Sequence, residues 1–258
     1  MSDGEVRVTR ESAVATVWFD RPDARNALTA KMYAEFTGAC RALGEDSTLR
    51  AVVFRGVGGK AFIAGTDIAR FKGFASGDDG VAYEHEMETH LEALLAVPVP
   101  TIAVIEGYAV GGGLNIAACC DLRIATTGSK IGTPIARTIG NTISMKNHAR
   151  LVMTFGESRA KRMLILGELL GAEEAEQAGF LTRLVTPDAL EATLAEVVET
   201  ILGNAPLTLA ASTEAMRRIR AVQVPDGDDL MRRVYASTDF KEGVRAFFEK
   251  RKPDWRGE

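Results

Sequence analysis

Apolar and polar residues alternate in short segments along the first two thirds of the chain and then give way to helical spacing. Residues 14–19 present side chains to two alternating faces, which is typical of a strand. After a polar break, Thr29 is placed to cap a helix whose apolar positions are Met32, Phe36, Ala39 and Leu43. Further segments predict helices at 81–96 and 114–120 and strands at 51–54, 101–105, 122–125 and 180–185.

This alternation of strands and helices predicts an α/β fold with largely parallel pairing. Beyond residue 187 the strand pattern stops, and helices are expected at 188–203, 206–222 and 227–250. Thr186 and Pro187 place a cap residue and a first-turn proline before the first of them. We therefore expect a core over residues 1–187 and an all-helical region over residues 188–258.

Composition limits the classes of partner. The chain of 258 residues carries 31 Lys and Arg against 35 Asp and Glu, a formal net charge of −4, which gives no electrostatic reason to expect nucleic acid or a membrane surface. The longest stretch without a charge, 107–120, is too short to span a bilayer, and no secretory signal is visible. Two of the three cysteines, Cys119 and Cys120, are adjacent. We expect a cytoplasmic protein without a disulfide framework.

Two segments share one design, in which a buried strand leads to a glycine-bearing turn and the start of a helix. One turn contains Gly65 and Thr66, and the other contains the run 111–113 of three glycines. Glycine lets the backbone approach a ligand closely, and N–H groups at the start of a helix attract anions. Two such turns facing one pocket would direct a pair of N–H groups at a developing oxyanion. For one segment alone, tight packing would be the better explanation.

Five motifs follow one another along nearly the whole chain. They are Asp20-Arg-Pro-Asp-Ala-Arg-Asn-Ala-Leu28, Lys60-Ala-Phe-Ile-Ala-Gly-Thr-Asp-Ile68, Glu106-Gly-Tyr-Ala-Val-Gly-Gly-Gly113, Cys120-Asp-Leu-Arg-Ile-Ala125 and Lys241-Glu-Gly-Val-Arg-Ala-Phe-Phe-Glu-Lys-Arg-Lys252. In this order they resemble the crotonase superfamily, the enoyl-CoA hydratases and isomerases. The resemblance implies a spiral of ββα units with a helical carboxy-terminal trimerisation region, hence a homotrimer or hexamer. It also implies an acyl-CoA thioester as substrate, with no separate cofactor and no metal.

The resemblance assigns roles to residues at matching positions. Thr66 and Gly112 match the pair whose N–H groups bind the thioester oxygen, so the threonine side chain has no expected function. The positions matching the coenzyme A and substrate site are Ala24, Arg25, Ala64, Asp67, Ile68, Gly111, Pro134 and Ile135. Tyr235 and Lys250 match positions that touch coenzyme A, often from a neighbouring subunit. Subunit contacts are expected at Leu190, Leu194, Val197, Val198 and Ile201.

The chain departs from hydratases at the two positions where the family holds the attacking water between glutamates. Asn115 stands at one position and Ile135 at the other. Asparagine can orient a water molecule but accepts no proton, and isoleucine only shapes the pocket. Because loss of one acid–base group typically lowers a rate by ~10²–10⁴, we expect very weak hydration. The same isoleucine removes the usual base for moving a double bond.

Three interpretations of the activity follow. The chain is nominally an enoyl-CoA hydratase or isomerase; alternatively it catalyses another enolate reaction on acyl-CoA, such as decarboxylation or thioester hydrolysis. In the third interpretation it binds acyl-CoA without turnover. Substitutes for the missing glutamates are sought among Arg137, Asn141, Ser144, Glu86 and His90, although a surface or packing role is favoured for each.

Overall fold

The computed structural model describes residues 3–220 and 224–257, and the ten strands within them form two sheets. The strands are β1 (Glu5–Glu11), β2 (Val14–Asp20), β3 (Ala51–Gly56), β4 (Ala61–Ile63), β5 (Thr101–Ile105), β6 (Tyr108–Val110), β7 (Leu122–Thr126), β8 (Lys130–Gly132), β9 (Leu169–Gly171) and β10 (Arg183–Val185). The large sheet has the order β1-β2-β3-β5-β7-β10, and the small sheet β4-β6-β8-β9. Only β1 with β2 and β8 with β9 pair antiparallel among these strands.

Helices connect and cover the two sheets. They are α1 (Ala30–Glu45), α2 (Gly77–Leu95), α3 (Gly112–Cys119), α4 (Ile135–Thr138), α5 (Met145–Ile165), α6 (Ala172–Gln177), α7 (Leu190–Gly203), α8 (Pro206–Arg220), α9 (Asp228–Ala236) and α10 (Thr238–Glu249). One unit repeats along the chain: a strand of the large sheet, a strand of the small sheet, then a helix. It occurs as β3-β4-α2, β5-β6-α3 and β7-β8-α4, which are the ββα units that the motifs imply.

Several local predictions are confirmed. The Thr29 hydroxyl accepts the Met32 N–H at 3.2 Å and caps α1. Strands β2, β3, β5 and β7 of the large sheet lie where they were predicted, whereas β1 was not predicted. The expected strand at 180–185 forms only as β10. The helix expected at 227–250 is two helices, because Ser237 is extended and caps α10 by accepting the Phe240 N–H at 3.0 Å. The expected end of α8 at residue 222 lies outside the described residues, as do residues 1, 2 and 258 of the expected domains.

The small sheet was not predicted. Each of its four strands is three residues long, so none shows a period of two in the sequence. Tyr108–Val110 was expected as part of a turn and is instead β6, which pairs with both β4 and β8. Short strands of this kind are defined by their partners rather than by their own residues.

Helix α7 packs on the large sheet of its own chain. Leu190, Val197 and Ile201 are buried against a cluster that includes Ala51 and Ile102 of that sheet, with Leu194 and Val198 packed beside them. The expectation of subunit contacts is therefore wrong for the buried Leu190, Val197 and Ile201, and it stays a prediction for the half-buried Leu194 and Val198. The division of the chain at residue 187 stays a prediction.

Helix α8, by contrast, buries none of its side chains in its own chain. Leu207 is 85% exposed, and Met216 and Ile219 are exposed on the same helix. Amphipathic helices generally bury their apolar side in water-soluble assemblies. Within the described residues, every helix is too short or too polar to cross a membrane.

Candidate active site

A cavity of about 200 Å³ lies between the start of α3, one side of α2 and the segment around α4. Most of its wall is apolar. Of the residues that the sequence assigned to a site, the wall contains Ala64, Thr66, Ile68, Gly111, Gly112, Asn115, Pro134 and Ile135. The tertiary structure thus brings together three separate segments of the chain, 64–68, 111–115 and 134–135, around one cavity.

The two glycine turns lie side by side at this cavity. Gly65 and Gly111 both have positive φ, +113° and +55°, a region that favours glycine. A Cβ atom added to Gly111 would lie 3.8 Å from the Cα of Gly65, and one added to Gly65 would lie 3.5 Å from the Val110 carbonyl oxygen. A side chain at either position would therefore touch the other turn, so the two backbones approach each other closely.

The backbone directions at the two turns follow from their hydrogen bonds. Leu28 and Thr66 form a parallel bridge, in which the Leu28 N–H binds the Gly65 carbonyl at 2.9 Å and the Asp67 N–H binds the Leu28 carbonyl at 2.8 Å. In a parallel bridge of this kind, the N–H of Thr66 itself points away from Leu28. Gly112 is the first residue of α3, where an N–H has no acceptor within the helix.

The Thr66 side chain is held between two tyrosines. The Tyr83 hydroxyl donates to Thr66 Oγ1 at 3.0 Å, and the Tyr33 hydroxyl lies 2.8 Å from the same oxygen. The three hydroxyls have three protons, and the two hydrogen bonds use two, so one O–H remains to donate to a ligand. A Cβ atom on Gly112 would collide with the Tyr33 hydroxyl, which places this group beside the start of α3. The Thr66 hydroxyl thus holds two tyrosines in place; that only the N–H of Thr66 binds the thioester oxygen stays a prediction.

Burial also sets the ionisation of these tyrosines. Removal from water raises the pKa of Tyr33 to about 12, although the hydrogen bond to Thr66 opposes this. Burial likewise raises the pKa of Tyr83 well above its usual value. Both hydroxyls are protonated at neutral pH, so they serve as hydrogen-bond donors rather than as bases.

Ala24, Arg25 and Asp67 are not part of the cavity wall. The Arg25 carbonyl accepts the Ala64 N–H at 3.0 Å, and its exposed guanidinium lies over the Tyr108 ring at 5.3 Å. Asp67 pairs with Arg21 at 2.7 Å and accepts the Ala69 N–H at 2.9 Å. The Asp67 carboxylate therefore fixes the turn after Thr66.

The carboxy-terminal candidates fall in different surroundings. Tyr235 is only 1% exposed, and its hydroxyl donates to Glu84 at 2.9 Å within its own chain. Contact with coenzyme A in a neighbouring subunit does not fit this buried arrangement. Lys250 is exposed and ends α10 in a left-handed conformation, with φ +53°. Phe247, one turn earlier, reaches the cavity wall.

Glu84 in the cavity wall is a residue that the sequence reasoning missed. One carboxylate oxygen accepts the Tyr235 hydroxyl, and the other accepts the Ser144 N–H at 2.8 Å. Burial raises the pKa of Glu84 to about 7, with a smaller contribution from the nearby Glu88 carboxylate. A charged residue at an inward position of α2, among Val81, Met87 and Leu91, was the available signal.

The five residues considered as substitutes for the missing glutamates lie in different surroundings. Asn141 lines the cavity and donates to the Tyr235 hydroxyl at 3.1 Å. Ser144 supports Glu84, while Glu86 is exposed and pairs with Arg70. His90 lies behind Tyr33, with ring centroids 5.0 Å apart, and its Nδ1 is 2.6 Å from the Thr37 hydroxyl. Arg137 is exposed on α4.

The sequence model of the enoyl-CoA hydratase/isomerase family matches residues 9–258. The chain belongs to this family. It is 32% identical over 254 residues to a probable enoyl-CoA hydratase of Mycobacterium bovis, covering 97% of both chains. A solved structure of an enoyl-CoA hydratase/carnitine racemase from Magnetospirillum magneticum has a TM-score of 0.80 and 33% identity, covering 98% of this chain and 96% of that one.

A methylmalonyl-CoA decarboxylase solved in complex with 2-nitronate-propionyl-CoA has a TM-score of 0.89 and 26% identity, covering 98% of both chains. The expected crotonase fold is thereby confirmed. The protein is a crotonase-family acyl-CoA enzyme, and the cavity at the two glycine turns is its candidate active site.

Proposed function

We propose that this family member binds an acyl-CoA thioester and polarises its carbonyl through the N–H groups of Thr66 and Gly112. The close approach of the two glycine turns at one cavity supports this proposal. Two N–H groups directed at one oxygen stabilise the negative charge that develops there when an enolate forms. The free O–H of the cluster formed by Tyr33, Thr66 and Tyr83 supplies a third donor at the same place.

Coenzyme A would approach from the side of Ala24, Arg25, Ala64, Asp67 and Ile68. The exposed Arg25 guanidinium suits a coenzyme A phosphate, because arginine binds phosphate with paired N–H groups. Gly111, Pro134 and Ile135 would surround the acyl group. Lys250 is exposed and cationic, so it supports the same anionic ligand.

Hydration is the weaker of two candidate reactions. Asn115 and Ile135 both line the cavity, and neither accepts a proton. A decarboxylation fits this wall better: the C–C bond to the carboxylate breaks, its electron pair forms the enolate, and CO2 leaves. That step needs stabilisation of the enolate oxygen but no base. The TM-score of 0.89 to a methylmalonyl-CoA decarboxylase favours this second candidate.

Binding of an enolate analogue tests the carbonyl site. Calorimetry would compare propionyl-CoA with 2-nitronate-propionyl-CoA, whose charged oxygen resembles the enolate. Since a site complementary to the transition state binds its analogues more tightly, we expect at least ~10²-fold tighter binding of the nitronate. Thr66→Pro, which lacks the N–H, should lose this preference, while Thr66→Ala, which lacks only the hydroxyl, should retain most of it.

Equal affinities for the two ligands would contradict the oxyanion site. A panel of acyl-CoA substrates followed by mass spectrometry separates the reactions: decarboxylation releases CO2 from a 2-carboxyacyl-CoA, hydration adds water to crotonyl-CoA, and hydrolysis frees coenzyme A. Tight binding without any product would favour an acyl-CoA-binding protein instead.

A further inference from the structure

Among the described residues that line the cavity, Glu84 is the only acidic one. It lies one position after Tyr83, which donates to Thr66, and its charge is close enough to Tyr33 to raise the pKa of that tyrosine. The carboxylate therefore belongs to the same small volume as the two glycine turns. The apolar side chains of Met87, Ile139 and Ile143 line the same cavity.

Two hydrogen bonds fix the orientation of this carboxylate. Oε1 accepts the Tyr235 hydroxyl at 2.9 Å, and Oε2 accepts the Ser144 N–H at 2.8 Å. Each oxygen keeps a further lone pair, because an ionised carboxylate has about four acceptor positions. The two hydrogen bonds thus orient the Glu84 carboxylate and leave each oxygen able to accept a further hydrogen bond.

The neighbouring carboxylate, Glu88, is neutralised differently. The Arg150 guanidinium binds both of its oxygens, at 2.7 and 2.8 Å, and the Ser144 hydroxyl adds a bond at 2.9 Å. This buried, bidentate pair is structural. Ser144 donates to both glutamates through different groups, so it keeps the two carboxylates in fixed positions one helical turn apart.

We propose that Glu84 is the catalytic residue that exchanges a proton with the α carbon of the bound acyl group. The proposal rests on acyl-CoA binding at this cavity. In one direction the α C–H bond breaks, its electron pair forms the enolate, and the proton goes to a Glu84 oxygen. In the other direction protonated Glu84 gives its proton to the enolate carbon, including an enolate left by departure of CO2, and is reprotonated from water.

The surroundings of Glu84 suit both directions. A group whose pKa lies near the working pH both holds and releases a proton efficiently, and burial brings the pKa of Glu84 to about 7. The ionisable groups around it are Tyr83 and Glu88 on its own helix, Tyr33 on α1, Tyr235 on α9 and, through Glu88, Arg150 on α5. The tyrosines stay neutral at this pH, so Glu84 dominates the titration of the cavity.

Hydrogen exchange at the α carbon measures this role directly. Propionyl-CoA would be incubated with the full chain in D2O, and deuterium uptake followed by mass spectrometry. We expect Glu84→Gln to slow exchange by at least ~10²-fold while propionyl-CoA affinity changes little. Glu86→Gln is the matched control, because Glu86 is an exposed glutamate on the same helix that does not line the cavity, and it should exchange at the wild-type rate.

The pH profile gives a second, independent measurement. Exchange should rise as Glu84 ionises and level off above neutral pH. Tyr235→Phe removes a donor that stabilises the ionised carboxylate, so the rise should move to higher pH in a folded protein. This shift keeps the proposal testable even where Glu84→Gln does not fold.

Each outcome has a defined meaning. Wild-type exchange in Glu84→Gln, an unmoved profile in Tyr235→Phe, or a wild type that binds propionyl-CoA without exchange would each overturn the assignment of Glu84 while leaving acyl-CoA binding intact. A wild type that binds no acyl-CoA would overturn the proposed function together with it.

Discussion

The hydroxyl of Tyr83 donates a hydrogen bond to Oγ1 of Thr66 across 3.0 Å, and so joins helix α2 to the first glycine turn. Tyr33 makes the matching contact from α1. Thr66, for which only a backbone role was expected, therefore connects α1, α2 and the first glycine turn. Its substitution should affect the stability of the fold as well as the chemistry of the cavity.

Thr66→Ala should lower the free energy of unfolding. The change leaves two buried tyrosine hydroxyls without this hydrogen-bond partner, and an unsatisfied buried group costs about 1–3 kcal/mol. Thr66→Ser keeps the hydroxyl and should lose much less. Urea unfolding followed by circular dichroism measures both, and an alanine variant as stable as the wild type would show that the tyrosines find other partners.

The wild type should hydrate crotonyl-CoA slowly or not at all. Asn115→Glu combined with Ile135→Glu should restore a measurable rate, seen as loss of the absorbance of the conjugated thioester, because both positions face the same cavity. Each single change should recover less, since the two carboxylates act as a unit on one water.

This double variant brings two more carboxylates into the cavity that already contains Glu84, and burying like charges is costly. Its fold must therefore be checked first. Rapid hydration by the wild type, undiminished in Asn115→Ala, would contradict the expectation that Asn115 and Ile135 leave hydration weak.

The stability of the protein should depend on the ionisation of Glu84. Its pKa is raised in the folded state, from the ordinary 4.5 to about 7, so the folded state binds this proton more tightly than the unfolded state does. Protonated Glu84 therefore stabilises the folded state fully below about pH 4.5. This contribution to the free energy of unfolding, up to about 3 kcal/mol, is lost as the pH rises to about 7.

Comparison with Glu84→Gln isolates this effect. From about pH 5 to about pH 8, the unfolding free energy of the wild type should fall relative to that of Glu84→Gln. His90, whose pKa is lowered by burial, favours the folded state as the pH rises, but it does so in both proteins. A difference that stays constant with pH would mean that Glu84 titrates at its ordinary value.

Assembly should depend on helix α8. We expect a trimer, or a hexamer, by multi-angle light scattering, because α8 leaves Leu207, Met216 and Ile219 exposed and has no fully buried side chain in its own chain. Leu207→Glu should shift the mass toward the monomer at micromolar concentration. Thr208→Glu adds the same charge at the next, exposed position and serves as control. A monomeric wild type would contradict the expected trimer.

Sequence reasoning found the elements whose pattern is long enough to repeat. The apolar spacing of α1 and the cap at Thr29 predicted that helix, alternation predicted β2, and short apolar segments predicted β3, β5 and β7. Strand β1 was not predicted. It failed for the three-residue strands of the small sheet, which have no period of their own. It also misjudged α7, because an apolar helical face looks the same whether its partner is another subunit or the sheet of the same chain.

The sequence by itself determined the family, because glycines and motif spacing are local properties of the chain. Through the resemblance it also implied the ββα units and a role for the backbone at Thr66 and Gly112. Only the tertiary structure decided what faces the cavity. Glu84, Tyr33 and Tyr83 lie far from the glycine turns along the chain or on a different element, and their contacts with Thr66, Ser144 and Tyr235 exist only after packing. Burial, which gives Glu84 its raised pKa, is likewise a property of the folded surroundings rather than of the residue.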